Sequence, residues 1–352
     1  MAEQVPPGAG GVGAPTHERS SSANAWNHGL RWASRRARIL APLTTLVSLL
    51  VFFSLVSDVF LSIQNMRNVV TQIGPIAVAA TGITFVLLCA EIDLSIASVA
   101  TFAGVLAAYF WVTPTMHLGS WGILVGLVIA ALIGLLNGFL VAYVGIPSFM
   151  MTLAMLTIAI GLSIWVTQGK PIFDVPDVLR NLGSVGQLFL GIPVIGWFAA
   201  GVLLLGELIL GYTRFGRYVY MTGANREAAE MSGVNTRRVV MLALMISAVT
   251  AGMAGMLFVG RLSSANPSAG GDILISTIAA VVLGGTSLFG GEGGIKNTIL
   301  GLLIFGILSN GLNLLPDISI YFKQALQGII LVAALLLNVV ALRLERVRTQ
   351  AE

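Results

Sequence analysis

The side chains able to do chemistry are few in this chain and widely spaced. A single cysteine, Cys89, excludes an intrachain disulfide and a cysteine-based zinc site. His17, His28 and His117 lie far apart and lack the spacing of metal ligands. The run 284–294 (GGTSLFGGEGG) looks at first like a phosphate cradle, but it has no Gly-Lys-Ser/Thr ending and fails as a P-loop. Close helix packing and a flexible inner turn explain its glycines better. No catalytic residue, cofactor or metal is expected, and nucleotide hydrolysis would have to occur on another chain.

Two polar constellations remain. The first is the segment Glu91-Ile92-Asp93-Leu94-Ser95, set between long apolar runs. A carboxylate at the centre of a membrane helix costs about 2.5–3.5 kcal/mol, so its placement matters. At the inner end of a helix Asp93 would be a solvated cap, which its position favours; within a bundle it would serve packing or substrate. The second is 213–238, TRFGRYVYMTGANREAAEMSGVNTRR. Asn225 can cap a helix over Arg226–Met231, and Ser232-Gly233 would stop it. A short capped helix flanked by arginines has the shape of a docking element. Composition alone reads more plainly as a basic loop at lipid headgroups.

These segments must be positioned by something almost wholly apolar. Of 352 residues, 56% are hydrophobic and 10% charged, against about 25% charged in soluble domains. The 41 glycines suit the close approach of membrane helices. The net charge of +4 does not point to nucleic acid, because the basic residues are scattered between apolar blocks. The class is an all-α polytopic membrane protein embedded in the lipid bilayer.

A spanning helix needs about 20 apolar residues. Charge-free runs place spans at 39–57 and 69–90. The stretch 94–169 contains no Lys, Arg, Asp or Glu, and turn signals at 113–120 (TPTMHLGS) and 143–147 (YVGIP) divide it into three. A polar connector, 168–193, precedes further spans at 194–212, 239–260, 273–291, 298–315 and 324–342. The total is about ten, becoming eight or eleven if a marginal segment such as 273–291 is re-entrant or a loop helix crosses. With both termini inside, fourteen basic residues fall inside and five outside, as the positive-inside rule requires. Residues 1–30, rich in Gly, Pro and Ser, read as a disordered cytoplasmic tail with no cleaved signal. Residues 31–342 form the transmembrane domain with its inner loop 213–238, and 343–352 form a second cytoplasmic tail. Glu207, alone near the inner end of its span, is expected to snorkel or to meet Arg214.

A weak internal repeat relates Gly134, Asn137 and Gly138, followed by Ile146 and Phe149, to Gly306, Asn310 and Gly311, followed by Ile318 and Tyr321. The offset of five spans is odd, so two such copies would cross the bilayer in opposite senses, an arrangement common in transporters.

At these motifs the chain resembles the permease subunit of bacterial ATP-binding-cassette importers for monosaccharides, the ribose/xylose/arabinose type. Four stretches carry the likeness: Ile92–Ser95, Arg214–Tyr220, Gly223–Gly233, and Arg261–Pro267 continuing through Ile278–Leu288. It runs from about residue 40 to 342. The resemblance implies a type II importer fold in the bacterial inner membrane and a second permease copy, as a homodimer or a related pair. It also implies a cytoplasmic ATP-binding subunit and an external sugar-binding protein. It assigns coupling to the ATPase to the segment holding Gly223, Asn225, Glu227, Ala228, Ala229, Ser232 and Gly233, and so overrides the plain-loop reading. The Ile92–Ser95 motif separates the sugar type from the branched-chain amino-acid and nucleoside permeases. Two departures stand out: Glu91 replaces a small residue, and Leu274-Ile275-Ser276 occupies the place of a Glu-Leu-Asp segment. Pentose, hexose, sugar alcohol and inositol all stay open as substrates.

An uncharged sugar needs hydrogen-bond partners rather than ion pairs. The polar residues in or near apolar runs are Asp93, Ser95, Asn137, Asn266, Asn310 and Asn313, which makes them the candidate translocation pathway. The rival reading is a secondary transporter driven by an ion gradient, which usually places carboxylates near the bilayer midplane. Mid-span positions here are nearly free of charge. A membrane scaffold without transport would leave the shaped inner helix unexplained.

Overall fold

With water excluded, long apolar runs can satisfy their backbone only as helices. The computed structural model describes residues 42–113, 118–268 and 271–315, together with 319, 321–323, 325–329 and 332. Up to residue 313 these form twelve helices: α1 Pro42–Val56, α2 Ile63–Leu88, α3 Ile96–Val112, α4 Trp121–Phe139, α5 Ser148–Thr167, α6 Asp177–Gly183, α7 Val194–Tyr212, α8 Arg214–Ala224, α9 Arg226–Met231, α10 Thr236–Leu262, α11 Gly271–Leu283 and α12 Ile295–Asn313. A two-stranded hairpin, β1 Leu188–Phe189 and β2 Ile192–Pro193, lies in the connector before α7.

Nine of the ten expected spans correspond to an apolar helix; the tenth, 324–342, lies for the most part outside the described residues. The two tails, 1–30 and 343–352, and residues Ile318 and Arg343–Arg348 also lie outside them. Both turn signals in the charge-free stretch hold. Thr113 ends α3, and a π-helical turn, Leu140–Val144, carries α4 to Gly145 in the left-handed region. The eighth span is shorter than 273–291: α11 stops at Leu283, so its 13 residues reach only about 20 Å at 1.5 Å per residue. That is too short to cross a hydrocarbon core of about 30 Å, and the glycine-rich turn follows it directly. Helix α6, in a connector read as irregular, begins at Asp177 after Pro176 and seats Leu179 and Gly183 inward against α10.

The two longest helices, α2 with 26 residues and α10 with 27, pack against each other at the centre. Helices α3 and α4 pack on one another and on α10, while α11 and α12 pack on one another and on α2. Thus the third and fourth spans use the seventh as the eighth and ninth use the second, the exchange that a repeat offset by five spans requires. In the absence of a hydrophobic drive between helices, small residues allow the tight approach. The face of α10 carries Ala248, Ala251, Gly252, Ala254 and Gly255, all buried. A Cβ at Gly255 would sit 1.8 Å from the carbonyl oxygen of Ala100 on α3, so no larger residue fits this crossing.

Candidate functional site

Helices α8 and α9 owe their bounds to side-chain caps. The Thr213 hydroxyl accepts from the Gly216 amide at 3.1 Å and opens α8. Asn225 ends α8 in extended geometry and opens α9, its Oδ1 accepting from the Ala228 amide at 3.0 Å. Gly233, at φ +82°, reverses the chain; its amide donates to Glu230 O at 2.9 Å and that of Val234 to Ala229 O at 3.0 Å. Asn235 then caps α10 through the Arg238 amide at 3.0 Å. The expected short helix over Arg226–Met231, with its asparagine start and glycine stop, is therefore present, and α8 precedes it.

The seven coupling candidates divide by direction. Ala229 is buried against the protein's own core with Val219, Val234 and Val239, so it anchors α9 and is not free to seat it in a partner's groove. Gly223 is a packing residue: a Cβ there would lie 1.8 Å from Leu88 O at the end of α2. Asn225, Ser232 and Gly233 shape the backbone. Glu227 and Ala228 face solvent, as does Met231, whose surface is 84% exposed. The turn 284–294 supports this segment. The Gly291 amide donates to Leu88 O at 3.0 Å, and the Tyr220 hydroxyl donates to Gly293 O at 2.9 Å. Burial, and then the Glu207 carboxylate, push that tyrosine hydroxyl above its usual pKa, so it keeps the proton it donates.

Asp93 is not a solvated cap. It is 1% exposed, and its Oδ1 accepts from the Ser95 amide at 2.9 Å and the Ser95 hydroxyl at 2.6 Å. Its Oδ2 accepts from the Ser247 hydroxyl of α10 at 2.7 Å. The Asn137 Nδ2 of α4 donates to Ser95 Oγ at 3.2 Å, while its buried Oδ1 has no partner. Three of the pathway candidates thus form one network joining the start of α3 to α4 and α10. The connector before α3 is non-helical, with Asp93 and Ser95 buried and Ala90 and Ile92 exposed, and such backbone is tolerated where protein satisfies it. The Ile92 amide donates to Ser148 Oγ at 3.1 Å and the Leu94 amide to Thr152 Oγ1 at 3.0 Å, both on α5.

Asn310 belongs elsewhere. It exchanges two hydrogen bonds with Asn65 of α2, at 2.8 and 3.1 Å, in a buried clasp between α12 and α2. Asn310→Leu should leave Asn65 Oδ1 without a donor, while Asn65 Nδ2 keeps its bond to Phe60 O at 2.8 Å, and cost about 1–3 kcal/mol. The double change Asn65→Leu/Asn310→Leu should recover part of that loss in thermal unfolding of the purified protein. Asn266 and Asn313 are exposed; Asn266 Oδ1 accepts from the Ser268 amide at 3.0 Å, and Asn313 O from Lys323 Nζ at 3.2 Å. The structure thus brings Asp93, Ser95 and Asn137 together and places Asn310, Asn266 and Asn313 apart from them.

Two further contacts escape sequence reasoning. Glu207 pairs with Lys296 at 3.1 Å and not with Arg214, because α7 and α12 meet there. Glu91 pairs with Arg226 at 2.8 Å across 135 positions, a contact that no local pattern could reveal. Ser247 and Asn65 carry no distinguishing sequence pattern, and only their partners make them notable.

Fold and site together define a polytopic helical membrane protein with a capped surface helix carried between two spans. Residues 65–335 match the family described as the permease component of branched-chain amino acid transport systems. The chain is 36% identical over 303 residues to the ribose import permease protein of Haemophilus influenzae, covering 83% of this chain and 90% of that one. It is 35% identical over 300 residues to the ribose import permease protein of Escherichia coli K12, covering 84% and 92%. The xylose transport system permease protein of the same strain is 29% identical over 364 residues, covering 86% and 91%. No solved structure gives a significant match. The chain belongs to this permease family: it is a multi-pass transporter component and not an enzyme.

Proposed function

We propose that this permease is the membrane subunit of an ATP-driven importer that carries a monosaccharide or related polyol across the bacterial inner membrane. Its likeness to ribose and xylose permeases over most of the chain carries the substrate class. The solvent-facing side of α9 supports the energy source. An ATP-binding subunit would dock on Glu227, Ala228 and the exposed Met231, while Ala229 roots the helix in the permease. An external binding protein would supply the sugar and hold most of the affinity. A second permease copy would complete the pathway. That assignment fits a protomer in which Asp93, Ser95 and Asn137 bond one another and Asn310 bonds Asn65.

In this reading 1–30, 213–238 and 343–352 are cytoplasmic, and Asp93, Ser95, Asn137 and Asn310 position helices instead of contacting sugar. Single cysteines at Arg180 and Glu227, in a Cys89→Ala background, should therefore label from opposite sides with an impermeant reagent. Labelling of both from outside would contradict the orientation. The reading itself is tested by co-expressing the permease with candidate ATP-binding subunits and purifying it. A stable complex that Glu227→Arg/Ala228→Trp dissolves is expected. A permease that transports sugar with no ATPase bound would overturn it.

A further inference from the structure

The docking helix is held to the body at both ends. At its C-terminal end Glu230 accepts a hydrogen bond from the Thr236 hydroxyl in the first turn of α10. At its N-terminal end Arg226 Nη2 bonds Glu91 Oε1 at 2.8 Å. Helix α9 packs on α8 and α10, and this ion pair adds the connector between α2 and α3. The Glu91 side chain is only 13% exposed, so solvent screens its side of the pair poorly.

We propose that Glu91 is a positioning residue for energy coupling: through Arg226 it ties α9 to the connector, so that a displacement of α9 is passed to α3. This rests on the docking role proposed for α9. Beyond Glu91 the connector is not slack. Two positions further on, Asp93 is fixed to Ser247 of α10 and to Ser95, which Asn137 of α4 also reaches. The Ile92 and Leu94 amides are held by Ser148 and Thr152 of α5. A pull at Arg226 therefore reaches a short segment hydrogen-bonded to three spans, α4, α5 and α10, and does not dissipate in a loop. The link through Glu230 duplicates a connection that the chain already makes covalently from α9 to α10. The link through Glu91 joins elements far apart in sequence.

The test uses the complete transporter in proteoliposomes, with its ATP-binding subunit and binding protein, and reads sugar taken up per ATP hydrolysed. Glu91→Gln keeps the size of the side chain and removes its charge. It should lower that ratio by about fivefold or more, the low end of coupling between two sites of one protein. ATPase should still co-purify with the permease, because the outer face of α9 is untouched. Arg226→Gln should lower the ratio likewise, and the charge exchange Glu91→Arg/Arg226→Glu should restore most of it, which shows that the pair acts as a unit; a merely structural defect would instead lower the yield of assembled complex together with the ratio. An unchanged ratio in Glu91→Gln, or an exchange variant no better than the single ones, would overturn the proposal. The docking role fails separately: if Glu227→Arg/Ala228→Trp keeps its ATPase, α9 is not the docking element whatever Glu91 does.

Discussion

Asp93→Ala is expected to destabilise the permease by about 1–3 kcal/mol or more, the cost of leaving buried donors without an acceptor. Alanine leaves three donors without an acceptor: the Ser95 amide, the Ser95 hydroxyl and the Ser247 hydroxyl. Each sits where water does not reach, and each must either lose its bond or shift a helix to find another. Asp93→Asn keeps one acceptor oxygen and should cost less. Thermal unfolding of the purified variants, followed by intrinsic tryptophan fluorescence, checks the order wild type, Asn, Ala. Equal midpoints for wild type and Asp93→Ala would remove the network from the account of how α3 is held.

Gly233→Val tests function where Asp93 tests stability. At φ +82° a β-branched residue is strained by about 1–2 kcal/mol, although nothing lies within 4 Å of its Cβ. No span is touched, so insertion and expression should match wild type. The turn that sets α9 against α10 would open, however, and the outer face of α9 would be presented wrongly. Uptake should fall by about tenfold or more, the effect of roughly 1.4 kcal/mol in an equilibrium. ATP hydrolysis stimulated by transport should fall with it, and adding Glu227→Arg should complete the loss. Unchanged uptake in the double variant would mean that the loop does not dock.

How far the sequence could be read differs from element to element. Helices α2, α4, α5, α7, α10 and α12 were legible because a bilayer leaves a long apolar run no other structure. The cap and stop of α9 were legible because Asn225 and Gly233 act within four residues of their own position. The length of α11 was not, since Leu283 and the glycines after it are equally apolar by composition. Asp93 was misread for a related reason: proximity to an inner helix end suggested water, while the folded chain brings Ser247 to it from 154 positions away. The same holds for Glu91 with Arg226 and Glu207 with Lys296, where charge is visible in sequence but partnership is not. The pathway candidates were chosen for polarity alone, and polarity in a membrane helix serves packing as readily as transport.

The most direct measurement is the energy source of uptake. The permease is reconstituted in sealed vesicles with its ATP-binding subunit and binding protein, and labelled ribose or xylose is supplied on the binding-protein side. The account predicts accumulation that requires ATP on the α9 side, persists when proton and sodium gradients are collapsed, and disappears with Glu227→Arg/Ala228→Trp. Accumulation driven by an ion gradient without ATP would contradict it.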